Sequence, residues 1–315
     1  MSAVVTDRRA LIKAGVLWGT GAAVLGTATA CVPPDQSTLG RLTARLRIIE
    51  SLADGTLGVQ FLDTGTGIAV GLNSDRRFGH CSSFKLSLAA KVLAEDARGL
   101  IDADRRVVWT KDDLMPVSPF TEQRLEEGAT LRELAEFTQK YSDNTAANVL
   151  LREIGGPPAM TGFWRTIGDE VSRLDRYEPA LNYVPVPEVR DTTTPAAMAR
   201  TLARLIYGDV MPPEQRATLR QWMIDTPTGV RRVRAGLPPE WPAGDKTGTS
   251  LWPGMGSLYV DIGIVEPEDR APITFATYFR ARTRHETIQP EAEAALSRVG
   301  EVLADFGEKA DAFPF

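Results

Sequence analysis

Apolar and polar residues recur along this chain with two periods, one typical of helices and one typical of strands. Leu39, Leu42 and Leu46 follow each other at three- and four-residue steps, which predicts an amphipathic helix over about residues 38–53. The same periodicity predicts a last helix over about residues 290–306. A helix with one apolar face must bury that face against another layer, so we expect both helices to cover a sheet.

Four short segments have the character of strands. The first two, residues 56–63 and 67–72, are separated by Thr64-Gly65-Thr66, which predicts a hairpin turn. Two later segments, residues 257–265 and 273–279, are rich in β-branched and aromatic residues. These four segments predict the sheet that the terminal helices cover.

The middle of the chain, from about residue 83 to residue 206, is mainly helical by pattern. Thr130 and Glu133 form a capping-box sequence before an apolar run. Thr194 and Pro195 place a cap residue and a first-turn proline before a further helix. No repeat, low-complexity stretch or long linker interrupts this part of the chain.

The order of these elements predicts an α/β fold of the α+β type. We expect an antiparallel sheet flanked by helices, with an all-helical subdomain inserted into it. The sheet subdomain would comprise residues 38–75 and 225–315, and the helical subdomain residues 76–224. Clefts between such units favour small-molecule sites, so we expect the active site between them.

The first thirty residues resemble an export signal. Arg8 and Arg9 precede a weakly apolar stretch over residues 14–30 that ends in small residues, and this stretch is short for a membrane span. Adjacent arginines before such a stretch are typical of the twin-arginine signal. We therefore interpret residues 1–30 as an export signal rather than as a membrane anchor.

Cys31 follows the predicted cleavage point directly. It fits the lipidated first residue of a lipoprotein, and it equally fits a free cysteine after plain cleavage. Residues 31–37 contain prolines and predict a flexible tail. The protein is therefore expected in the periplasm or outside the cell, either free or anchored through Cys31.

Composition excludes several classes of protein. The 315 residues carry a net charge of −5, which argues against a nucleic-acid partner because such binding needs clustered basic charge. The only two histidines, His80 and His285, are far apart and lack nearby cysteine pairs, which argues against a metal site. We therefore expect a globular enzyme, a monomer, that uses no metal and no cofactor.

Three short motifs carry candidate chemistry. Ser82 and Lys85 have the S-x-x-K spacing, which places both side chains on one face of a helix so that the lysine amine can bond the serine hydroxyl. Ser142-Asp143-Asn144 precedes a helical run, and Lys246-Thr247-Gly248 precedes a predicted strand. Each motif has an ordinary structural explanation on its own: a cap serine, a helix cap and a polar turn, respectively.

Together and in this order, the three motifs resemble the signature of class A β-lactamases and penicillin-binding proteins. A fourth segment, Arg176–Asn182, is similar to the omega loop of class A β-lactamases, in which a glutamate and an asparagine follow the E-x-x-L-N spacing. The hydrolysis of an acyl-serine ester needs a water with a general base beside it, and Glu178 can be that base. Penicillin-binding transpeptidases lack this loop.

The resemblance spans about residues 38–306 and implies a role for each matching residue. The implied catalytic residues are Ser82, Lys85, Ser142 and Glu178, with the choice between Lys85 and Glu178 as acylation base left open. The backbone N–H groups of Ser82 and Thr249 would form the oxyanion hole. The implied substrate-binding residues are Asn144, Asn182, Arg234, Lys246, Thr247 and Thr249.

Arg234 is assigned by its position in the R-A-G-L-P segment, and Arg231 and Arg232 compete with it. The omega loop, residues 173–191, would be closed by an ion pair between Arg176 and Asp191.

The implied substrates are β-lactam antibiotics. Two alternatives remain: a D-Ala-D-Ala peptidase and a penicillin sensor that is acylated without turnover. Cys81 precedes the nucleophile, as in a carbapenem-hydrolysing subgroup, but Ser250 occupies the position of the partner cysteine, so the matching disulfide cannot form. The chain also departs from the family pattern at residues 250–255, which include a Trp and a Pro, and at Val117.

Overall fold

The helices and strands follow the order that the hydrophobic pattern predicts. The structure is a computed structural model that describes residues 36–309. Its helices are α1 (Gln36–Leu52), α2 (Phe84–Ala97), α3 (Leu131–Tyr141), α4 (Asn144–Glu153), α5 (Gly156–Thr166), α6 (Pro195–Ile206), α7 (Pro213–Ile224) and α8 (Pro290–Lys309). Its strands are β1 (Gly55–Asp63), β2 (Ala69–Leu72), β3 (Phe78–Gly79), β4 (Arg106–Val107), β5 (Ala129–Thr130), β6 (Thr192–Thr193), β7 (Ala243–Ser250), β8 (Leu258–Val265) and β9 (Ile273–Ala281).

Five of these strands form one antiparallel sheet in the order β2-β1-β9-β8-β7. The predicted hairpin joins β1 to β2, with the Gly67 N–H donating to the Asp63 carbonyl at 2.9 Å. In β1, Val59 lies opposite Leu72 of β2 on one side and Thr277 of β9 on the other. The predicted antiparallel sheet flanked by helices is confirmed.

The sheet separates two hydrophobic clusters. On one face α1 and α8 pack against the strands, with Leu46, Phe61 and Val299 fully buried. On the other face Ile262 and Tyr278 pack towards the central helices. Full burial of a side chain of this size stabilises the fold by roughly 1.5–3 kcal/mol. The sheet is therefore buried on both sides, and β7 lies at its edge.

Several helix starts lie where local sequence signals predict them. The Thr130–Glu133 capping box forms, because Thr130 Oγ1 accepts from the Glu133 N–H at 3.1 Å and Glu133 Oε2 accepts from the Thr130 N–H at 2.8 Å. Thr194 Oγ1 caps α6 by accepting from the Ala197 N–H at 3.2 Å. The side-chain acceptors satisfy amides that have no partner within the helix.

The prediction for Lys246-Thr247-Gly248 was wrong in one respect. These residues do not precede a strand but lie inside β7, paired with Ile262, Asp261 and Val260 of β8. Because β7 is an edge strand of the sheet, its outer side chains can face a cleft, and polar residues are tolerated there.

Some predictions concern residues that are not described. The export signal over residues 1–30 and the cleavage point at Cys31 lie outside the described residues. The predicted tail, residues 31–37, overlaps the first helix, because α1 begins at Gln36. Among residues 36–309, no helix is long and apolar enough to cross a membrane. The subdomain limits at residues 75 and 225 remain predictions.

Candidate active site

Ser82 lies in a tight turn that leads into α2. Residues Cys81–Ser83 form a single 3-10 turn, with Cys81 in the left-handed region at φ 46°. Strand β7 packs directly on this turn at Gly248, where an added Cβ would come within 2.9 Å of the Cys81 Cβ and 3.0 Å of the Ser82 nitrogen. The missing side chain at Gly248 therefore lets the edge strand approach the backbone of Ser82.

Lys85 is at the centre of the site and is completely buried. Its Nζ lies 3.0 Å from Ser82 Oγ, 3.1 Å from Glu178 Oε1 and 2.9 Å from the Ser142 carbonyl, and it also donates to Asn144 Oδ1. Burial lowers the pKa of Lys85, and the neighbouring Glu178 carboxylate partly opposes that effect. The amine is thus held within reach of the Ser82 hydroxyl as a usable base.

Ser142 and Lys246 meet on the opposite side of Lys85. Ser142 takes the left-handed conformation at φ 62°, and its Oγ lies 3.1 Å from Lys246 Nζ. Lys246 is completely buried and also donates to the Thr247 carbonyl at 2.9 Å. Burial lowers the pKa of Lys246 well below its usual value, and repulsion from Lys85 lowers it further. A chain of polar atoms therefore runs from Lys246 through Ser142 to Lys85.

The Asp143 side chain holds the turn at Ser142 in place. Its carboxylate caps α4 by accepting from the Ala146 N–H at 2.8 Å, and it also accepts from the N–H groups of Phe120 and Thr121 at 3.0 Å each. The predicted helix-cap role of the Ser142–Asn144 segment is thus performed by Asp143. The cap leaves Ser142 free to contact the lysines.

Glu178 faces the nucleophile from the omega loop. Its Oε1 lies 3.5 Å from Ser82 Oγ, and its Oε2 accepts from Asn182 Nδ2 at 2.6 Å. The Asn148 side chain forms two hydrogen bonds with the backbone of Glu178. It donates to the Glu178 carbonyl and accepts from the Glu178 N–H, both at 2.9 Å. Sequence reasoning missed Asn148, although its place six residues after Ser142 lies in a segment that resembles the family.

The omega loop is closed at its base by the expected ion pair. Arg176 Nε lies 2.5 Å from Asp191 Oδ2, and the Asp191 side chain is completely buried. Asp191 Oδ1 also accepts from the N–H groups of Asp175 at 2.7 Å and Arg176 at 3.0 Å. The Arg176 guanidinium reaches across the loop to the Tyr183 carbonyl at 2.8 Å. One carboxylate therefore joins the two ends of the loop.

These groups surround a cleft of about 460 Å³. Polar lining residues face it from the α2 start, the Ser142 turn, the omega loop and β7, and Val117, Val230 and Ile288 form apolar parts of its rim. The predicted site residues that line it are Ser82, Ser142, Asn144, Glu178, Asn182, Thr247 and Thr249.

Arg234 is not among the residues that line this cleft, and its assignment is corrected. Its Nε lies 2.6 Å from Asp245 Oδ2, and its guanidinium also donates to the Thr226 carbonyl. Asp245 is completely buried, so this pair neutralises a carboxylate behind β7. In this chain Arg234 therefore forms a structural ion pair and does not line the cleft.

Arg232 lines the cleft instead. Its Nη2 donates to Thr249 Oγ1 at 2.7 Å, and its Nη1 donates to the carbonyls of Gly248 at 2.9 Å and Val260 at 2.7 Å. Its Nε lies 3.5 Å from Glu293 Oε1 of α8. Three adjacent arginine positions carry no pattern that separates these roles, so the sequence alone could not choose between them.

Cys81 lies directly before the nucleophile in the chain. Cys81 is a free, buried cysteine, and burial raises the pKa of its thiol to about 12. It therefore packs as a small apolar residue behind the nucleophile. Among residues 36–309, no group of three or more His, Cys, Asp or Glu side chains is arranged to hold a metal ion.

Comparisons with known proteins identify the family. The model of the β-lactamase enzyme family matches residues 41–306. The chain is 39% identical to β-lactamase OXY-2 of Klebsiella oxytoca over 81% of this chain and 87% of that protein. It is 41% identical to the carbapenem-hydrolyzing β-lactamase KPC, also of Klebsiella oxytoca, over 78% of this chain and 83% of that protein.

A solved structure gives the same result. An ancestral class A β-lactamase superposes with a TM-score of 0.80 at 44% sequence identity, covering 84% of this chain and 99% of the ancestral one. The chain therefore belongs to the class A serine β-lactamases, enzymes that hydrolyse the β-lactam ring of penicillins and cephalosporins and so give antibiotic resistance.

Proposed function

We propose that this β-lactamase works through an acyl-enzyme on Ser82 that is hydrolysed by water activated at Glu178. The observation that carries the proposal is the position of the Glu178 carboxylate. One of its oxygens lies 3.5 Å from the Ser82 hydroxyl, and the other accepts from the Asn182 amide at 2.6 Å. A general base beside the nucleophile is what turnover needs and what simple acylation does not.

In the acylation step, Ser82 Oγ attacks the lactam carbonyl carbon and the C–N bond of the ring breaks. The hydroxyl proton leaves to Lys85 Nζ at 3.0 Å, or to Glu178 through a water. The backbone N–H groups of Ser82 and Thr249 stabilise the oxyanion, at roughly 3–4 kcal/mol for a donor of this kind. Ser142, between Lys246 and Lys85, delivers a proton to the leaving nitrogen.

In the deacylation step, Glu178 takes a proton from a water that the Asn182 amide also holds. The resulting hydroxide attacks the ester carbonyl, the bond to Ser82 Oγ breaks, and the proton returns to that oxygen. The buried pair with Lys85 at 3.1 Å orients the Glu178 carboxylate for this role.

The cleft also suggests how a substrate carboxylate is held. Thr247 and Thr249 line the cleft on β7, and Arg232 donates to Thr249 Oγ1 at 2.7 Å. A guanidinium is always charged and presents several donors, so it suits an anionic group. We assign Arg232, with Lys246 behind it, to attract the carboxylate of the β-lactam, and Asn144 to bind the amide of its side chain.

Location and assembly are further proposals that rest on the sequence. The Arg8-Arg9 pair supports export to the periplasm or beyond, and Cys31 offers a site for lipid attachment. Replacing Arg8 and Arg9 with Lys should abolish export, and Cys31→Ala should release the protein from membranes if it is lipidated. Light scattering of the purified protein should give the mass of a monomer.

Turnover of a chromogenic cephalosporin tests the proposed mechanism. The wild-type protein should turn over steadily, and Glu178→Ala should give one stoichiometric burst with a mass increase that equals one acyl group. Glu122→Gln, which changes an exposed carboxylate that does not line the cleft, is the matched control and should behave as wild type. A stoichiometric burst from the wild-type protein would favour a penicillin sensor or a peptidase, and normal turnover by Glu178→Ala would remove Glu178 from its role.

A further inference from the structure

A second cavity, of about 400 Å³, lies at the end of the sheet beside the omega loop. It is separate from the catalytic cleft, because the two share no lining residue. Strands β1 and β9, the stretch after the Asn182 turn, and the β7–β8 connection form its walls. The lining residues used below are Thr56, Val186, Gly256, Arg280 and Arg282.

Arg280 is the central polar group of this cavity. It is half-buried on β9, and its Nη1 donates to the carbonyl of Val184 in the omega loop at 2.9 Å. Among residues 36–309, no carboxylate lies within 4.0 Å of its guanidinium. Burial lowers the pKa of Arg280, and repulsion from Arg76 lowers it further. A guanidinium has five N–H donors, so most of its hydrogen-bonding capacity is left for a ligand.

Neighbouring side chains add positive charge around Arg280. Arg282 lines the same cavity, and its pairing with Asp54 at 2.6 Å is exposed on both sides, at 72% and 71% of the side-chain surface. An ion pair this exposed is screened by solvent and contributes little. Arg76 lies close enough to Arg280 to repel it. Two arginines therefore line this cavity, Arg76 adds positive charge nearby, and the carboxylate paired with Arg282, that of Asp54, is exposed.

The shape of the cavity suits a small ligand. At Gly256 an added Cβ would collide with the Ala281 carbonyl at 2.0 Å, so the floor here is bare backbone. Arginine bonds carboxylate and phosphate oxygens with paired N–H groups, which gives these anions a geometric advantage over halide ions.

We propose that this cavity is a binding site for a small oxyanion, a carboxylate or a phosphate, bound by Arg280 with Arg282 at its mouth. The ligand would also act on the omega loop. The Val184 backbone is held at both ends, because its N–H contacts Met255 Sδ at 3.3 Å and its carbonyl contacts Arg280. An anion that fixes Arg280 therefore fixes the loop two residues after Asn182, the partner of Glu178.

Amide NMR of the whole protein tests the proposal with two probes, inorganic phosphate and acetate, at constant ionic strength. The catalytic cleft also contains cations, so the position of the shifts decides the result. We expect saturable shifts at Thr56 and Val186, with a dissociation constant of about 1–10 mM for at least one probe. The probe that binds more tightly identifies the chemistry of the ligand. Shifts confined to Thr247 and Thr249, or none up to about 50 mM, would overturn the proposal.

Variants separate a specific site from general charge effects. Arg280→Gln should weaken binding by about tenfold or more, as expected for the loss of a charged hydrogen-bonding partner. Arg98→Gln is the matched control, since Arg98 also donates to a backbone carbonyl, that of Val210, and lines a different cavity. Equal affinity in Arg280→Gln and wild type would overturn the site.

A further pair of variants covers the case in which Arg280→Gln disturbs the fold. Arg76→Gln and Arg282→Gln leave the bond from Arg280 to Val184 in place and should each weaken binding by about two- to fivefold. If both variants bound the anion with wild-type affinity, the positive charge around the cavity would not attract the anion, and the proposal would be contradicted.

Discussion

Lys85 Nζ lies 3.1 Å from Glu178 Oε1, and neither side chain is exposed to solvent. The two groups come from different parts of the fold, α2 and the omega loop, and both contact the Ser82 hydroxyl. The two side chains therefore form a buried ion pair beside the nucleophile. An uncompensated charge at such depth is costly, so the pair must be kept or lost together.

The first prediction concerns Lys85→Met. Removing the amine takes away the nearest proton acceptor of Ser82 and leaves Glu178 without its partner. We expect the acylation rate to fall by about 10²–10⁴-fold, measured as burst kinetics with a chromogenic cephalosporin. Lys91→Met is the control: Lys91 lies on the same helix, pairs with Glu95 and is outside the cleft. A variant at Lys85 that acylates as fast as the Lys91 variant would exclude Lys85 from the reaction.

The proximity of Ser82 and Lys85 could be predicted from sequence because it depends on local helix geometry alone. The same holds for the caps at Thr130 and Thr194, where one side chain meets an amide three residues later. Glu178 is different, since its approach to Ser82 spans 96 residues and no periodicity encodes it. Only the resemblance of the omega-loop segment to a known family placed Glu178 in the site.

Three failures of the sequence-based predictions have physical causes. Lys246 was expected just before a strand, yet it lies inside β7, an edge strand beside a cleft that accommodates polar residues. Arg234 was chosen by its motif, and the motif reflects the buried Asp245 that it neutralises. Asn148 was missed because its role is to bond the backbone of a distant loop.

The second prediction concerns the ion pair at the base of the omega loop. Asp191→Asn leaves Arg176 without its charge partner in a buried position, and such a loss costs about 3–5 kcal/mol. We expect a lower free energy of unfolding by urea and altered turnover of a bulky cephalosporin, since the loop carries Glu178. Glu127→Gln breaks the exposed pair with Arg124 and should change stability by less than about 1 kcal/mol. Equal stability of both variants would show that the pair does not hold the loop.

The third prediction concerns the pH dependence of stability. His80 is fully buried and stacked on Trp164 with a centroid distance of 4.9 Å, and burial lowers its pKa from 6.5 to about 4. Between these two pH values the unfolded chain takes up a proton that the folded chain does not. The contribution of His80 to the free energy of unfolding is therefore complete above pH 6.5. It falls by about 3 kcal/mol as the pH drops to 4.

His80→Phe provides the measurement of that effect. The phenyl ring keeps the contact with Trp164 and cannot be protonated. Urea unfolding at pH 7 and pH 4 should show a smaller loss in the variant than in the wild type, by about 3 kcal/mol. Identical losses would assign the acid sensitivity to other groups.

The fourth prediction concerns Asp261 as a positioning residue. Its Oδ2 accepts from the Val233 N–H at 3.0 Å, which fixes the backbone next to Arg232. Burial raises the pKa of Asp261 well above its usual range, with repulsion from Asp245 adding to the effect. Asp261→Asn keeps an acceptor without the charge and should retain activity. Asp261→Leu loses the acceptor and should raise KM by about tenfold with a smaller change in kcat. A fall in kcat alone would argue against this role.

The last prediction separates Arg232, which lines the cleft, from Arg234, which pairs with the buried Asp245. Arg232→Gln removes a donor of the cleft and should raise KM for carboxylate-bearing β-lactams by about 10–100-fold. Arg234→Gln leaves the fully buried Asp245 without its partner and should lower the free energy of unfolding by about 3–5 kcal/mol. In the folded fraction of that variant KM should stay near the wild-type value, because Arg234 does not line the cleft. The opposite result, a raised KM in Arg234→Gln and a normal one in Arg232→Gln, would return the anchoring role to Arg234.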